Sequence, residues 1–284
     1  MLKTIALFPN EKKKDSFDLA RKITTFFHEK GKKIVAEEGK AEEIGALPLS
    51  AVPPKEIDLL IAMGGDGTLL RIAHYFSWID APILGINLGH LGFMADIPTA
   101  DVFPTLEELL AGAYRVENRS MLQTTSEGIS SPLYAVNDIV LHRAKNYSLV
   151  ELVVHLNGTY VNTFLADGLV ISTPTGSTAY SLAAGGPILS PTLDAIVLSP
   201  ICPHTISNRP LVLTADCTIT IEYTSPYDEI DVRADGLNAY LLKPHVPITI
   251  KRASRTFKLV KLHRHDYFST LRKKLGWSGK LTES

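Results

Sequence analysis

The apolar run Asp58-Leu59-Leu60-Ile61-Ala62-Met63 stops abruptly at Gly64-Gly65-Asp66-Gly67-Thr68, and that junction constrains the fold more than any other stretch of the chain. A buried strand that runs into three glycines must turn there, and residues 69–76 beyond it carry the spacing of a helix. Glycine permits positive φ and leaves main-chain N–H groups open to a ligand that a Cβ would exclude. The start of the helix adds its dipole and free N–H donors at the same place, a combination that suits phosphate. Asp66 does not fit a plain phosphate cradle. A carboxylate repels a bare phosphate, so Asp66 either holds a metal ion or takes the proton of a hydroxyl that is being phosphorylated. The alternative is a simple connection in which Asp66 and Thr68 cap the helix, and the turn by itself leaves both readings open.

Around this junction strand and helix patterns alternate. Residues 4–8 read as a short buried strand ended by Pro9-Asn10, Asp15-Ser16 opens a helix carrying Phe17, Leu19, Ala20, Ile23, Phe26 and Phe27, and Gly31 closes it. A weaker strand follows at 33–35, the strong one at 57–63 and another at 81–87. This alternation predicts parallel βαβ units, an α/β Rossmann-like domain whose ligands bind beyond the carboxyl ends of its strands. Both glycine-rich stretches fall at such ends. The second, Gly89-His90-Leu91-Gly92-Phe93, sets Phe93 either to stack on a base or to fold back into the core. A helix at 103–111, closed by Gly112, is the last of this domain.

From about Met121 the apolar period changes to 2. Residues 149–156 and 159–165 flank Asn157-Gly158, a pair that favours the type I′ turn, and predict a hairpin. Further strands are expected at 133–142, 195–198, 218–223, 229–233, 237–242 and 246–251, which makes the second domain β-rich and sandwich-like. One stretch reads as more than scaffold. From Ala166-Asp167-Gly168 an apolar strand leads into Ser172-Thr173-Pro174-Thr175-Gly176-Ser177-Thr178-Ala179-Tyr180-Ser181, where hydroxyls and backbone donors crowd a helix start. That suits a ribose, a base edge or a phosphate. Asn137-Asp138 interrupts another apolar strand, and since neighbouring strand side chains point to opposite faces, one of the two faces a site, or the position is a bulge or an exposed edge.

With 284 residues the chain has length for two domains and a sizeable core. Its 29 Lys+Arg balance 30 Asp+Glu, so no nucleic-acid partner is expected. Cys202 and Cys217 form no metal or redox spacing and suit a reducing compartment. No apolar run approaches the roughly 20 residues of a membrane span, which leads us to expect a soluble, cytoplasmic protein without a membrane partner. GxxxxGK[ST], GxGxxG and HExxH are absent, Ser177 lies in no GxSxG, and the nine histidines are scattered.

Together the two site stretches resemble the NAD kinase family, enzymes that move a phosphoryl group from ATP to the adenosine-ribose 2′-hydroxyl of NAD. Residues 64–68 are similar to its GGDGT, Leu88-Gly89-His90-Leu91-Gly92-Phe93 to its LGxLGF loop, and residues 167–181 to its DGxxxSTPTGSTAY segment. Gly185-Gly186-Pro187-Ile188, Ser207-Asn208-Arg209-Pro210 and residues 271–277 are similar to further family stretches, so the likeness covers nearly the whole chain. Diacylglycerol and sphingosine kinases share GGDGT; the segment from Asp167 is the specific one.

The resemblance implies an α/β domain at 1–118 to which 266–284 return, and a β-rich NAD-binding domain at 119–265, with NAD in the crevice. It implies Asp66 as acceptor of the 2′-hydroxyl proton and Gly64, Gly65, Gly67 and Thr68 on the donor's phosphates. Phe93, Thr175, Thr178, Ala179 and Tyr180 would surround NAD, and Asp167 would lie on its nicotinamide side. Mg²⁺ is implied with ATP, though no ligand for it can be named, and so is a homo-oligomer, a dimer or tetramer. Where the family usually has Asn-Glu this chain has Asn137-Asp138, a carboxylate shorter by one methylene, so Asn137 carries over more directly than Asp138. Two alternatives stand beside this reading: a lipid kinase, which needs an apolar entrance not visible in the sequence, and a non-catalytic dinucleotide sensor, which does not need Asp66. The basic stretch 251–280, with Arg252, Arg255, Lys258, Lys261, Arg264, Arg272, Lys273 and Lys274, is expected to be a solvated face, or else to attract anionic substrates or a second subunit.

Overall fold

The computed structural model describes residues 2–277 apart from 14, 128, 146 and 227; the ends of the expected return and of the basic stretch, at 278–284, lie outside the described residues. The chain forms two compact units, Met1–Asn118 with Lys258–Ser284, and Arg119–Phe257.

In the first unit the strands Leu47–Pro48, Lys33–Ala36, Thr4–Pro9, Leu59–Gly64 and Ile83–Asn87 lie side by side in that order, all parallel, with Ile5 opposite Leu59 and Ile61 opposite Leu84. Thr4–Pro9, Leu59–Gly64 and Ile83–Asn87 are buried at every residue, as expected when both faces of a parallel sheet are covered. Ile5, Leu7, Ile61 and Ile86 share a core with Ile23 and Phe27 of helix Ser16–Glu29 and with Leu106 and Leu109 of helix Val102–Leu110. From Thr4–Pro9 the chain steps outward to one side, then crosses back to lay Leu59–Gly64 on the other. The order reverses between these two strands, and the crevice beyond their carboxyl ends is where such sheets bind ligands. Pro9-Asn10 and Gly64-Gly65 occupy those ends. The chain rejoins this unit at Lys258 rather than at 266, because Leu259 pairs with Ile83, and Val260 and Leu262 enter the core.

The second unit is an antiparallel sandwich. One sheet runs Leu211–Thr214, Ala195–Ile201, Gly168–Ser172, Asp138–His142, Ile230–Ala234, Asn238–Leu242. In the other, Thr159–Ala166 pairs with Val150–Leu156, which pairs with Thr218–Tyr223, which pairs with residues 248–251. Ile139, Leu141, Leu169 and Ile171 from the first sheet meet Leu152, Val154, Ile219 and Ile221 from the second in one core. The hairpin turns at Asn157 and Gly158 with φ of 51° and 81°, the two positive values a type I′ turn demands. Where the pattern predicts one strand over 133–142, there are two, Leu133–Ala135 and Asp138–His142. The break at Val136-Asn137 is filled by bonds from elsewhere in the unit, described below. Among the described residues no helix is long and apolar enough to cross a membrane.

Candidate active site

The helix after the glycine turn begins at Asp66, three residues earlier than the spacing predicts, and runs to Tyr75. Gly65 is its N-cap and no side chain caps it, so neither Asp66 nor Thr68 has the capping role. Thr68 instead accepts a hydrogen bond from Asn10 Nδ2 at 3.2 Å, tying the ends of the two strands at the switch point together. The Asp66 carboxylate reaches across to the second glycine-rich stretch. It accepts hydrogen bonds from the main-chain N–H of Phe93 (2.9 Å), Met94 (3.0 Å) and Ala95 (2.8 Å). Gly92 makes this approach possible, since a Cβ there would run into Asp66 Oδ1 and lie 2.9 Å from Ala95 O. Beside Gly65 and Gly67 the space is open. Phe93 is only half-buried; its ring lies 6.4 Å from that of Tyr267, with Lys274 Nζ 5.1 Å above it.

Next to the turn, a cleft of about 370 Å³ is lined by Lys13 and Asp15 after the first strand and by Asn87, Leu88 and Gly89 after the strand paired with Gly64. Among the described residues nothing pairs with the Lys13 ammonium. A Cβ on Gly89 would sit 3.2 Å from that nitrogen, so the glycine leaves it room.

In the second unit the hydroxyls of the Ser/Thr-rich stretch are mostly turned inward, unlike the ligand-facing arrangement expected of them. Thr173 Oγ1 donates to Val136 O (2.7 Å), Ser172 Oγ to Asn137 O (3.2 Å) and Thr178 Oγ1 to Thr175 O (3.3 Å). Ser177 Oγ donates to Pro174 O (2.7 Å) and accepts from Leu189 N–H (3.0 Å). These bonds shape the loop, and Thr175 is buried within it. Gly176 lies flat against Asn137, where a Cβ would come within 2.5 Å of Asn137 C and 2.6 Å of its Cα. Backbone cannot yield as a flexible side chain does. Gly176→Ala is therefore expected to destabilise the fold by about 1–3 kcal/mol, read as a lower urea midpoint with unchanged slope.

The loop borders a cleft of about 470 Å³ that brings together Asn137, Asp138, Ala179 and Tyr180 with Asp235 and Arg233. Asp235, which the motifs do not point to, organises it. Held at φ 52° in the turn after Ile230–Ala234, its carboxylate accepts from Val136 N–H (2.8 Å), Asn137 N–H (2.7 Å) and Asp138 N–H (3.1 Å). Those bonds satisfy the amides freed by the strand break. Asp138 is buried, and burial first, then the neighbouring Asp235 charge, push its carboxyl up to about 7 against the bond donated by Tyr180 N–H. Partial burial pushes the Tyr180 phenol up as well, with Cys202, Asp167 and Asp138 adding to it. Asp167 is already paired, its Oδ1 lying 2.7 Å from Arg143 Nε.

Two family models match the chain in order, the ATP-NAD kinase N-terminal domain over residues 5–114 and the ATP-NAD kinase C-terminal domain over residues 136–262. The chain belongs to the ATP-NAD kinase family. A protein named NAD kinase from Protochlamydia amoebophila is 51% identical over 277 residues, 98% of this chain and 99% of that one. Yeast NADH kinase, solved with NADH, superposes with a TM-score of 0.88 at 26% identity, covering 100% of this chain and 90% of that one. An NAD kinase from Archaeoglobus fulgidus, solved with ATP, shares the fold with a TM-score of 0.74 at 22% identity over 97% of this chain and 99% of that one. The ATP-NAD kinase matches contain both site stretches: the turn at 64–68 and the loop at 92–96 fall in the N-terminal one, the segment from Asp167 and Asp235 in the C-terminal one.

Proposed function

We infer that this chain is an NAD kinase that transfers the γ-phosphoryl of ATP to the adenosine-ribose 2′-hydroxyl of NAD. What carries the reading is the presence in one chain of the Gly64–Thr68 turn at a switch point and the Asp167–Ser181 segment, each inside its matched family domain. Open backbone at Gly65 and Gly67, with Gly64 and Thr68, receives the donor's phosphates at the helix start. The adjoining cleft takes the rest of the donor, with the Lys13 ammonium neutralising phosphate charge. Asn137, Asp138, Ala179 and Tyr180 line the cleft that takes NAD, the loop carrying Thr175 and Thr178 borders it, Phe93 is a further NAD-binding residue, and the Arg143–Asp167 pair serves its nicotinamide side.

A ribose hydroxyl is a poor nucleophile at neutral pH, and phosphoryl transfer depends chiefly on positioning and charge neutralisation. Asp66, fixed by three N–H bonds, orients the 2′-hydroxyl and accepts its proton as the new P–O bond forms and the bond from the γ-phosphorus to the β,γ-bridging oxygen breaks, releasing ADP. Among the described residues no group of three or more His, Cys, Asp or Glu side chains is set to hold a metal ion. Mg²⁺ bound with ATP would supply charge neutralisation at the transferring group.

Incubation with ATP, Mg²⁺ and NAD is expected to yield NADP, and the same mixture with diacylglycerol or sphingosine in place of NAD to yield no phosphorylated lipid; the opposite pattern would sink the assignment. Losing a charge-assisted bond of about 1.5–3 kcal/mol, Lys13→Ala should raise KM for ATP roughly 10-fold or more while KM for NAD stays within twofold. We place the enzyme in the cytoplasm as a homo-oligomer of two or four chains, a state that light scattering on the purified protein would read directly.

A further inference from the structure

Asp66 is aimed by a loop, and the loop is itself held from the far end of the sequence. Residue 96, next after the three whose N–H groups grip Asp66, is a buried carboxylate. Its Oδ2 lies 2.6 Å from Lys261 Nζ and 3.4 Å from His265 Nδ1, with the Lys261 and Asp96 side chains only 9% and 8% exposed. Burial pushes the Asp96 carboxyl up, and His265 and Lys261 together outweigh it and leave it lowered, so Asp96 is held as a carboxylate. Lys261 Nζ also approaches Phe93 O at 3.5 Å, and Lys274 Nζ donates to Leu91 O at 2.7 Å. The stretch 91–96 is thus gripped at its first carbonyl, its middle and its last side chain by cations from the C-terminal segment. The helix that presents Lys274, Tyr267–Leu275, is fixed by Asp266, which caps it through Phe268 N–H (3.2 Å) and Ser269 N–H (2.9 Å).

Burying a lysine against a carboxylate gains little stability over an apolar pair, because both ions lose their hydration. What such a pair does supply is one geometry: the salt bridge closes only when residue 96 sits in one place. Since the N–H groups of 93–95 are covalently tied to residue 96, that place sets the direction in which Asp66 points.

We propose that Lys261 and His265 are positioning residues for Asp66, acting through Asp96 and the backbone of residues 93–96. The proposal rests on the reading of Asp66 as the proton acceptor. It requires no contact of Lys261 or His265 with either substrate; their task is to hold the loop that holds the carboxylate, so that the 2′-hydroxyl meets it in line with the transferring phosphoryl group.

Lys261→Met and, as a milder variant that leaves the Lys261–Asp96 pair intact, His265→Ala test this by two readouts taken together. The first is kcat for NADP formation, expected to fall roughly 10-fold or more for Lys261→Met and threefold or more for His265→Ala, with Lys261→Arg regaining most of the loss. The second is amide hydrogen exchange in the full-length protein, expected to speed up at Phe93, Met94 and Ala95 while Ile61 and Leu84 in the sheet keep their protection. A purely structural ion pair would loosen the sheet amides together with the loop. Folded variants whose kcat stays within twofold of wild type, or whose exchange rises equally in loop and sheet, overturn the proposal; if Lys261→Met does not fold, His265→Ala decides on the same criteria. Full activity in Asp66→Asn would instead overturn the reading of Asp66 itself, leaving the loop-exchange result to stand or fall alone.

Discussion

Asp66→Asn lowers NADP formation roughly 100-fold or more and, in addition, weakens NAD binding. From the glycine turn alone the second effect would not be expected, since a base that touches only one hydroxyl can be neutralised with little change in affinity. The three N–H bonds change that expectation. A carboxylate has acceptor oxygens for Phe93, Met94 and Ala95, whereas an asparagine must turn an NH2 group toward at least one of those N–H donors. A buried donor left without an acceptor costs about 1–3 kcal/mol, and the loop carrying Phe93 relaxes away to avoid it. Titration calorimetry with NAD alone, beside steady-state kinetics, separates the two losses. Gly92→Ala is the companion variant: it keeps the carboxylate but pushes a methyl group into it. If proton acceptance is the task, Gly92→Ala displaces the base and also loses activity; wild-type turnover in either variant removes Asp66 from the chemistry.

The sheet of the first unit was readable because its information is local. Apolar runs of strand length, a helix closed by Gly31 and a glycine turn each depend on a few adjacent residues, and the outcome is the alternation that parallel sheets need. Asn157-Gly158 was readable for the same reason: two residues dictate the turn, and the turn dictates the pairing. The partners of Asp66 lie 27 to 29 positions away, and nothing in the spacing of the two glycine stretches says that the carboxylate of one binds the amides of the other. The inward hydroxyls of Ser172, Thr173 and Ser177 mislead in the opposite direction. A run of hydroxyls looks identical whether it faces a ligand or satisfies its own loop, and here the break at Val136-Asn137 takes up much of it. Asp235 did leave a signal, an Asp-Gly pair between two strand patterns, but that signal indicates a turn and not the three amides it serves. The basic C-terminal stretch was expected to be a solvated face; Lys258 pairs with Asp80, Lys261 with Asp96 and Arg264 with Glu108, so much of its charge is spent within the first unit.

Asp138 gives the clearest pH-dependent consequence. Its carboxyl is pushed from the ordinary 3.8 to about 7, first by burial and then by Asp235 beside it. The folded chain therefore binds a proton there more tightly than the unfolded chain does, and the difference counts against folding as pH rises. The stability Asp138 allows is fully present below pH 4, is lost progressively between about pH 4 and 7, and does not fall further above that range. A gap of about three pH units corresponds to roughly 4 kcal/mol at 1.36 kcal/mol per unit. Asp138→Asn, which keeps the size but has no proton to lose, should lack this slope, so the stability difference between variant and wild type grows in favour of the variant from pH 5 to pH 8. Urea unfolding of both proteins at pH 5, 6, 7 and 8 measures it, and parallel curves would show that Asp138 does not titrate in this range. Asp138→Glu carries the carboxyl one methylene further from the backbone, at the cleft that Asp138 lines. There it is better hydrated and farther from Asp235, so the slope should persist but shift to lower pH. The shorter side chain in this protein thus places a neutral acid, able to donate a hydrogen bond, in the cleft it lines below pH 7, where a longer one would present a charge.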